Sequence, residues 1–203
     1  MKIIFATGNE HKMVEVRAIL SDFDGEILSM KGAGIEADIV EDGKTFEENA
    51  LIKARAIAGL TQDAIVLADD SGLEVDCLNK EPGIYSARYA GEDTPYTIKN
   101  QMILDRVKGA KGAERSARFV CAMAAVVPMK DGTTKEFVVR GTFEGYIAEE
   151  AAGVNGFGYD PIFWVPECNC TSAELTPEEK NARSHRGDAL RKMREIFCKE
   201  GIL

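Results

Sequence analysis

The feature that most restricts the fold of this chain is a pair of long strand-like segments in its second half. The longest apolar run, the nine residues Phe119 to Val127, closes a segment that starts at Arg118. A second segment, Lys135 to Ile147, follows after Lys130-Asp131-Gly132, the usual composition of a hairpin turn. Long strands joined this way pair antiparallel, which excludes a purely doubly wound parallel sheet. The apolar run is also well short of the ~18 residues that a membrane-spanning helix requires, so no transmembrane segment is expected.

The rest of the chain alternates strand and helix patterns. Lys2 to Ala6 reads as a short buried strand running into Thr7-Gly8-Asn9, after which Met13, Val16 and Leu20 recur at helical spacing. Glu26 to Met30 is strand-like, and a Gly- and acid-rich connection follows over 32–43. Thr45 with Glu48 forms a capping box for a second helix, whose inward face is traced by Phe46, Ala50, Lys53 or Ala54, and Ile57. Ile65 to Ala68 is an apolar strand ending in Asp69-Asp70-Ser71-Gly72, with Leu73, Val75 and Cys77 alternating as a following strand. Thr94-Pro95 places proline at the first position of a helix with Ile98, Met102 or Ile103, and Val107 inward. Gly153 to Asp160 is a glycine-rich loop and Ile162 to Val165 a short strand. Thr176-Pro177-Glu178-Glu179 caps another helix, and Asp188 to Lys199 is a terminal helix with Leu190, Met193, Ile196 and Phe197 inward. The expected fold is α/β: a mixed central sheet flanked by helices, one domain over residues 1–203 with two lobes around a cleft.

Charge narrows the partners. Of 203 residues, 25 are Lys or Arg and 34 Asp or Glu, a formal net charge of −9. That balance argues against a broad basic face for DNA or RNA but allows a small anionic ligand held by a few cations or one metal ion. The first residues offer one lysine and four apolar side chains, less than the ~7–15 of a secretory signal. The five cysteines form no CxxC pair. A cytoplasmic protein with reduced thiols is expected.

Four segments have the composition for chemistry. Thr7, Gly8, Asn9, Glu10, His11 and Lys12 form a turn that brings backbone N–H groups and a lysine to a helix N-terminus, a favourable place for phosphate. The plainer alternative is a capped helix with Lys12 in solvent. Asp69 and Asp70, adjacent at the end of a buried strand, repel each other unless a cation or hydrogen bonds offset the charge. Mg²⁺ takes such ligands, Glu41 or Asp42 can add another, and a carboxylate beside metal-bound water can act as general base. A polar β-turn is the alternative reading. Phe157, Gly158, Tyr159 and Asp160 alternate aromatic and glycine positions, which suits stacking on a flat base or a bulged start to a strand. Lys180, Arg183, His185 and Arg186 form a basic cluster that suits phosphate or a base edge, or else solvated charge flanking a helix.

Taken in order, these segments resemble the inosine triphosphate pyrophosphatase family. The resemblance is carried by Thr7-Gly8-Asn9 with Lys12, Phe46-Glu47-Glu48-Asn49-Ala50 with Lys53-Ala54, and Ala68-Asp69-Asp70-Ser71-Gly72-Leu73. It continues through Pro82-Gly83-Ile84-Tyr85-Ser86-Ala87-Arg88-Tyr89, Gly156-Phe157-Gly158-Tyr159-Asp160-Pro161 and Ser184-His185-Arg186-Gly187. It implies Mg²⁺-dependent hydrolysis of deaminated purine nucleoside triphosphates (ITP, dITP, XTP) to the monophosphate and pyrophosphate, in a homodimer. It further implies that Thr7 to Lys12 hold the triphosphate, Asp70 is the base and a metal contact, and Glu41 completes the metal site. Ser71 would contact substrate, Phe157 to Asp160 would enclose the base, and Lys180, His185 and Arg186 would bind base and phosphate. Asp69, Glu48 and Arg88 would support these groups. Two alternatives are a septum-formation-inhibitor-like pyrophosphatase acting on other modified nucleotides and a non-catalytic nucleotide-binding regulator.

Overall fold

The computed structural model describes residues 1–61 and 63–203. Seven strands, β1 (Lys2–Phe5), β2 (Glu26–Ser29), β3 (Ile65–Val75), β4 (Ser116–Pro128), β5 (Thr134–Ile147), β6 (Phe163–Val165) and β7 (Cys170–Thr171), form a sheet in the order β2-β1-β3-β4-β5-β6-β7. The helices are α1 (Glu10–Ile19), α2 (Phe46–Ala58), α3 (Tyr96–Arg106), α4 (Pro177–Arg183) and α5 (His185–Lys199). The sheet is mixed, as the long hairpin requires: β1 runs parallel to β2 and β3, whereas β5–β6 and β6–β7 are antiparallel.

The chain divides into two compact units. One comprises Met1–Asp70, Cys121–Gly141 and Arg186–Leu203; the other comprises Ser71–Val120 and Thr142–His185. In the first unit, Ile3 and Phe5 of β1 pair in register with Ile65 and Leu67 of β3. They share a core with Met13 and Val16 of α1, Cys121 and Met123 of β4, and Leu190, Met193 and Phe197 of α5. In the second unit Leu73, Val75, Phe119, Phe143, Phe163 and Val165 pack with Ile103 of α3. Both cores are built by the period-2 and period-3.6 patterns of these segments.

The structure revises several local expectations. The segment Asp69 to Gly72 is no turn: β3 runs unbroken through it, and Cys77 lies in a short 3₁₀ turn after the strand. Pro95 is the N-cap of α3 rather than its first helical residue, and Thr94 Oγ1 donates to the Ala90 carbonyl. The inward face of α3 carries Lys99, Asn100 and Ile103, while Ile98 and Met102 are exposed. The terminal helix starts at His185 rather than Asp188, so His185 and Arg186 lie in its first turn. Only half of the first capping box forms, since Thr45 accepts from the Glu48 N–H but the Glu48 carboxylate accepts from Lys44. The box at Thr176 and Glu179 is complete.

Candidate active site

In the first unit the expected phosphate turn is a capped helix N-terminus. Thr7 is buried, and its Oγ1 accepts the Asn9 N–H at 3.1 Å. The Asn9 carboxamide oxygen accepts from His11 N at 3.0 Å and Lys12 N at 3.4 Å, so the cap consumes two of the N–H groups that an anion would use. Gly8, Glu10 and His11 are exposed around it. Lys12 is not simply solvated: its Nζ lies 2.9 Å from Asp69 Oδ1.

Because successive strand residues face opposite sides, β3 separates the two aspartates and removes the repulsion expected of neighbouring carboxylates. Asp69 is fully buried and gathers Lys12 on one oxygen, with Arg186 Nη2 at 2.9 Å and Nε at 3.3 Å on the other. Arg186 Nη1 bonds Glu15 of α1. Burial alone would raise the Asp69 pKa, but Lys12, Arg186 and Lys53 outweigh it and hold this carboxyl far below its ordinary value. Arg186, expected to meet base or phosphate, is buried and bonded to two carboxylates in the ligand-free fold. The guanidinium fork suits that double duty.

Asp70 has a different environment. Its Oδ2 accepts from Asn49 Nδ2 of α2 at 3.0 Å, and its Oδ1 lies 4.0 Å from Lys53 Nζ, which also holds Glu41 Oε2 at 2.7 Å. Burial raises its pKa against the opposing pull of Lys53 and Asn49, and the Glu41 charge adds to the rise. Two adjacent carboxylates are thus driven in opposite directions, one locked as an anion and one made more basic, the arrangement that separates a structural from a reactive acid. Of the two acids before α2, Glu41 faces this group while Asp42 is exposed. Among the described residues no group of three or more His, Cys, Asp or Glu side chains is placed to hold a metal.

The second unit holds the remaining expected site residues. Ser71 continues β3. Asp160, expected to enclose a base, is buried and organises its own loop, accepting from Phe157 N (2.8 Å), Ser172 Oγ (2.9 Å) and Lys180 Nζ (2.6 Å). Gly156 and Gly158 have φ of +73° and +68°, and a Cβ at Gly156 would meet Asp160 Oδ2 at 2.2 Å, so both positions need glycine. Tyr159 is a core residue whose hydroxyl donates to the Ser86 carbonyl at 2.8 Å. Lys180 is buried under the Asp160 pair, with its ammonium 5.0 Å from the Phe157 ring centroid. Gly156 is exposed, Phe157 and Gly158 are partly exposed, and Tyr159, Asp160 and Lys180 are buried. His185 is buried and stacks on Phe119, ring centroids 5.0 Å apart.

Sequence reasoning overlooked Glu15, Asn49 and Lys53 as working residues. Glu15 lies between Met13 and Val16 on the buried face of α1, where an acid requires a partner. Asn49 and Lys53 are one turn apart on α2, a spacing that puts both side chains on one face.

A sequence model of the Ham1 family matches residues 3–196. A dITP/XTP pyrophosphatase of Clostridium perfringens is 49% identical over 207 residues, covering 100% of this chain and 98% of that protein. A dITP/XTP pyrophosphatase of Bacillus subtilis is 46% identical over 194 residues, 96% of each chain. The solved HAM1 protein of Coxiella burnetii superposes with a TM-score of 0.85 at 40% identity, covering 98% of this chain and 99% of that one. The Staphylococcus aureus Ham1 protein gives 0.83, also at 40% identity. With both sequence and fold matched along nearly the whole length, the chain belongs to the Ham1 family.

Proposed function

We propose that this chain is a nucleoside triphosphate pyrophosphatase that hydrolyses deaminated purine nucleoside triphosphates (ITP, dITP, XTP) to the monophosphate and pyrophosphate. The observation that carries the reading is Asp70: a carboxylate made more basic by burial, oriented by Asn49, and set beside Lys53 and Glu41. Asp70 takes the proton from the attacking water, the water oxygen bonds to phosphorus, and the α–β anhydride bond breaks with pyrophosphate leaving. Thr7 to Lys12 hold the triphosphate, with Gly8, Glu10 and His11 exposed toward it. A non-catalytic nucleotide-binding regulator would have no use for such a base, and the family match disfavours the septum-formation-inhibitor-like alternative.

The chemistry of the donors suits a hard divalent cation, because Glu41 and Asp70 are carboxylates that converge on one positive charge, the Lys53 ammonium. Glu41 and Asp70 would hold Mg²⁺, which usually takes one or two carboxylates and completes its shell with water and substrate phosphate. When bound it neutralises phosphate charge and polarises the phosphoryl oxygen.

Base discrimination follows from hydrogen-bond polarity. A 6-keto purine accepts where the 6-amino group of adenine donates, and the Ser184–His185 segment supplies donors now that Arg186 is committed to Asp69 and Glu15. A polar site left unpaired by the wrong base discriminates by roughly 10⁴–10⁵. Phe157 stacks on the base. We place the activity in one domain over residues 1–203, in the cytoplasm, as a homodimer. The free cysteines and the exposed apolar side chains Tyr85, Ile98 and Met102 support the last two statements.

The test is a panel of nucleoside triphosphates with Mg²⁺, resolving monophosphate, pyrophosphate and orthophosphate. ITP and XTP are expected to turn over far faster than ATP and GTP, with pyrophosphate as the primary product. Equal rates remove the specificity claim, and primary orthophosphate removes the bond assignment. Asp70→Asn is expected to lower kcat by about 10²–10⁴ with substrate binding retained, and sedimentation at the monomer mass would exclude the dimer.

A further inference from the structure

Helix α3 buries Lys99 and Asn100 beside Ile103 and leaves two large apolar side chains outside. Ile98 and Met102 are 51% and 38% exposed, while Lys99 and Asn100 are turned inward at 1% and 5%. Exposing two large apolar side chains in order to bury an ammonium and an amide works against stability, so the inward face must be read by what it holds. Lys99 Nζ donates to the Ala87 carbonyl at 2.6 Å and lies 4.9 Å from the Tyr96 ring centroid. Tyr96 meets Tyr159 edge-on, centroids 5.2 Å apart. Asn100 Nδ2 donates to the Gly158 carbonyl at 3.1 Å, and Asn100 Oδ1 is buried with no hydrogen-bond donor among the described residues. A half-satisfied buried amide is poorer for stability than an apolar residue of its size. What Asn100 contributes is its grip on Gly158.

We infer that Asn100 is a positioning residue for nucleobase recognition: it holds the Gly158 carbonyl and so sets the backbone on which Phe157 is presented. The inference rests on the proposed base-binding role of this loop. Asp160 fixes the loop through the Phe157 N–H, and Asn100 fixes it through the carbonyl of the next residue. Between these two anchors the left-handed Gly158 is held at φ +68°, a conformation that the backbone of glycine leaves readily when nothing holds it. Asn100 lies on a helix that the quoted motifs of the sequence resemblance do not include, and the role inferred for it is exerted through the Gly158 carbonyl.

Two variants separate this role from a general structural one. Asn100→Asp keeps the shape and removes the donor, and Asn100→Leu replaces the amide by an apolar side chain. Three quantities are measured: steady-state kinetics with ITP, calorimetric binding of inorganic tripolyphosphate with Mg²⁺, and hydrogen exchange of residues 156–160 in ligand-free protein. For both variants KM for ITP is expected to rise about 10-fold with kcat within about 3-fold, since a ground-state contact to the base is loosened. Tripolyphosphate, which has no base, is expected to bind within about 2-fold of the parent, and exchange in 156–160 is expected to quicken while that of α2 is unchanged. An unchanged KM, or equal weakening of ITP and tripolyphosphate, overturns the proposal. If the parent does not hydrolyse ITP, the proposed function fails on its own. The exchange measurement still decides whether Asn100 holds the loop, and unchanged exchange in 156–160 overturns that role.

Discussion

Replacing Arg186 tests whether its charge is used inside the protein. In Arg186→Met the side-chain volume is nearly kept, but Asp69, 0% exposed, loses one of its two cations, and Glu15, 11% exposed, loses the guanidinium bonded to it. The partly buried Lys12 ammonium at 2.9 Å still faces Asp69, so the variant retains one bonded cation against two carboxylates. Breaking a buried ion pair from one side costs about 3–5 kcal/mol, because the surviving charge remains out of water. With a urea m-value of roughly 2–3 kcal/mol/M for a chain of this size, the unfolding midpoint is expected to fall by about 1–2.5 M. Far-UV circular dichroism of the ligand-free protein is a suitable assay. The triple replacement Arg186→Met, Glu15→Leu, Asp69→Leu removes every uncompensated charge except Lys12, and it is expected to recover much of the loss, as apolar replacements of buried ion clusters do. Arg186→Lys is expected to fall between, because a single ammonium cannot span both carboxylates as the planar fork does. A midpoint shift below about 0.3 M for Arg186→Met would show that the guanidinium does not compensate Asp69. Combined with a large rise in KM for ITP, that result would return Arg186 to the ligand role read from sequence.

Asn49→Leu removes both the donor to Asp70 and the acceptor that Asn49 Oδ1 offers to the Gly43 N–H at 2.9 Å. A stability loss of about 1–3 kcal/mol and a fall in kcat with ITP are expected, and a normal kcat would show that Asp70 needs no orienting partner. Gly156→Ala places a Cβ against Asp160 in a left-handed conformation that itself costs about 1–2 kcal/mol, so thermal unfolding is expected several degrees lower; an unchanged melt would refute the strain argument. Asp76 is held below its ordinary pKa, chiefly by the two-point bond from Arg118 with further bonds from Lys80 and Ser116, against the opposing effect of burial. A carboxyl depressed in the folded state stabilises above its unfolded pKa and loses that contribution as the pH falls. Asp76→Asn is therefore expected to be less stable than the parent by about 1 kcal/mol at pH 7, with the difference narrowing below pH ~5. A gap that stays constant down to pH 3 would exclude the linkage.

Much of the fold was legible in short-range patterns. The Thr176 capping box, the Asn9 turn, the Ala50–Ala54–Ile57 stripe and the Lys130-Asp131-Gly132 turn each depend on neighbours within a few residues, and such signals survive in any tertiary setting. Sequence misread the places where a long-range partner changed the local outcome. Asp69-Asp70-Ser71-Gly72 has the composition of a turn, yet it lies inside a strand, because Asp69 finds Lys12 and Arg186 57 and 117 positions away. Helix α3 has an apolar stripe, yet it shows Lys99 and Asn100 to the interior because Ala87 and Gly158 offer carbonyls there.

The same division holds for the site. The order of motifs, with its glycine turns and paired carboxylates, was sufficient to indicate nucleotide chemistry. Residue patterns without the resemblance left the two aspartates equivalent, and they gave no sign that in the fold Arg186 pairs with Asp69 and Lys180 with Asp160. Which charged side chains the folded protein pairs with one another is written in no local pattern. Because that pairing depends on burial and on charges far away in the chain, tertiary structure decided it.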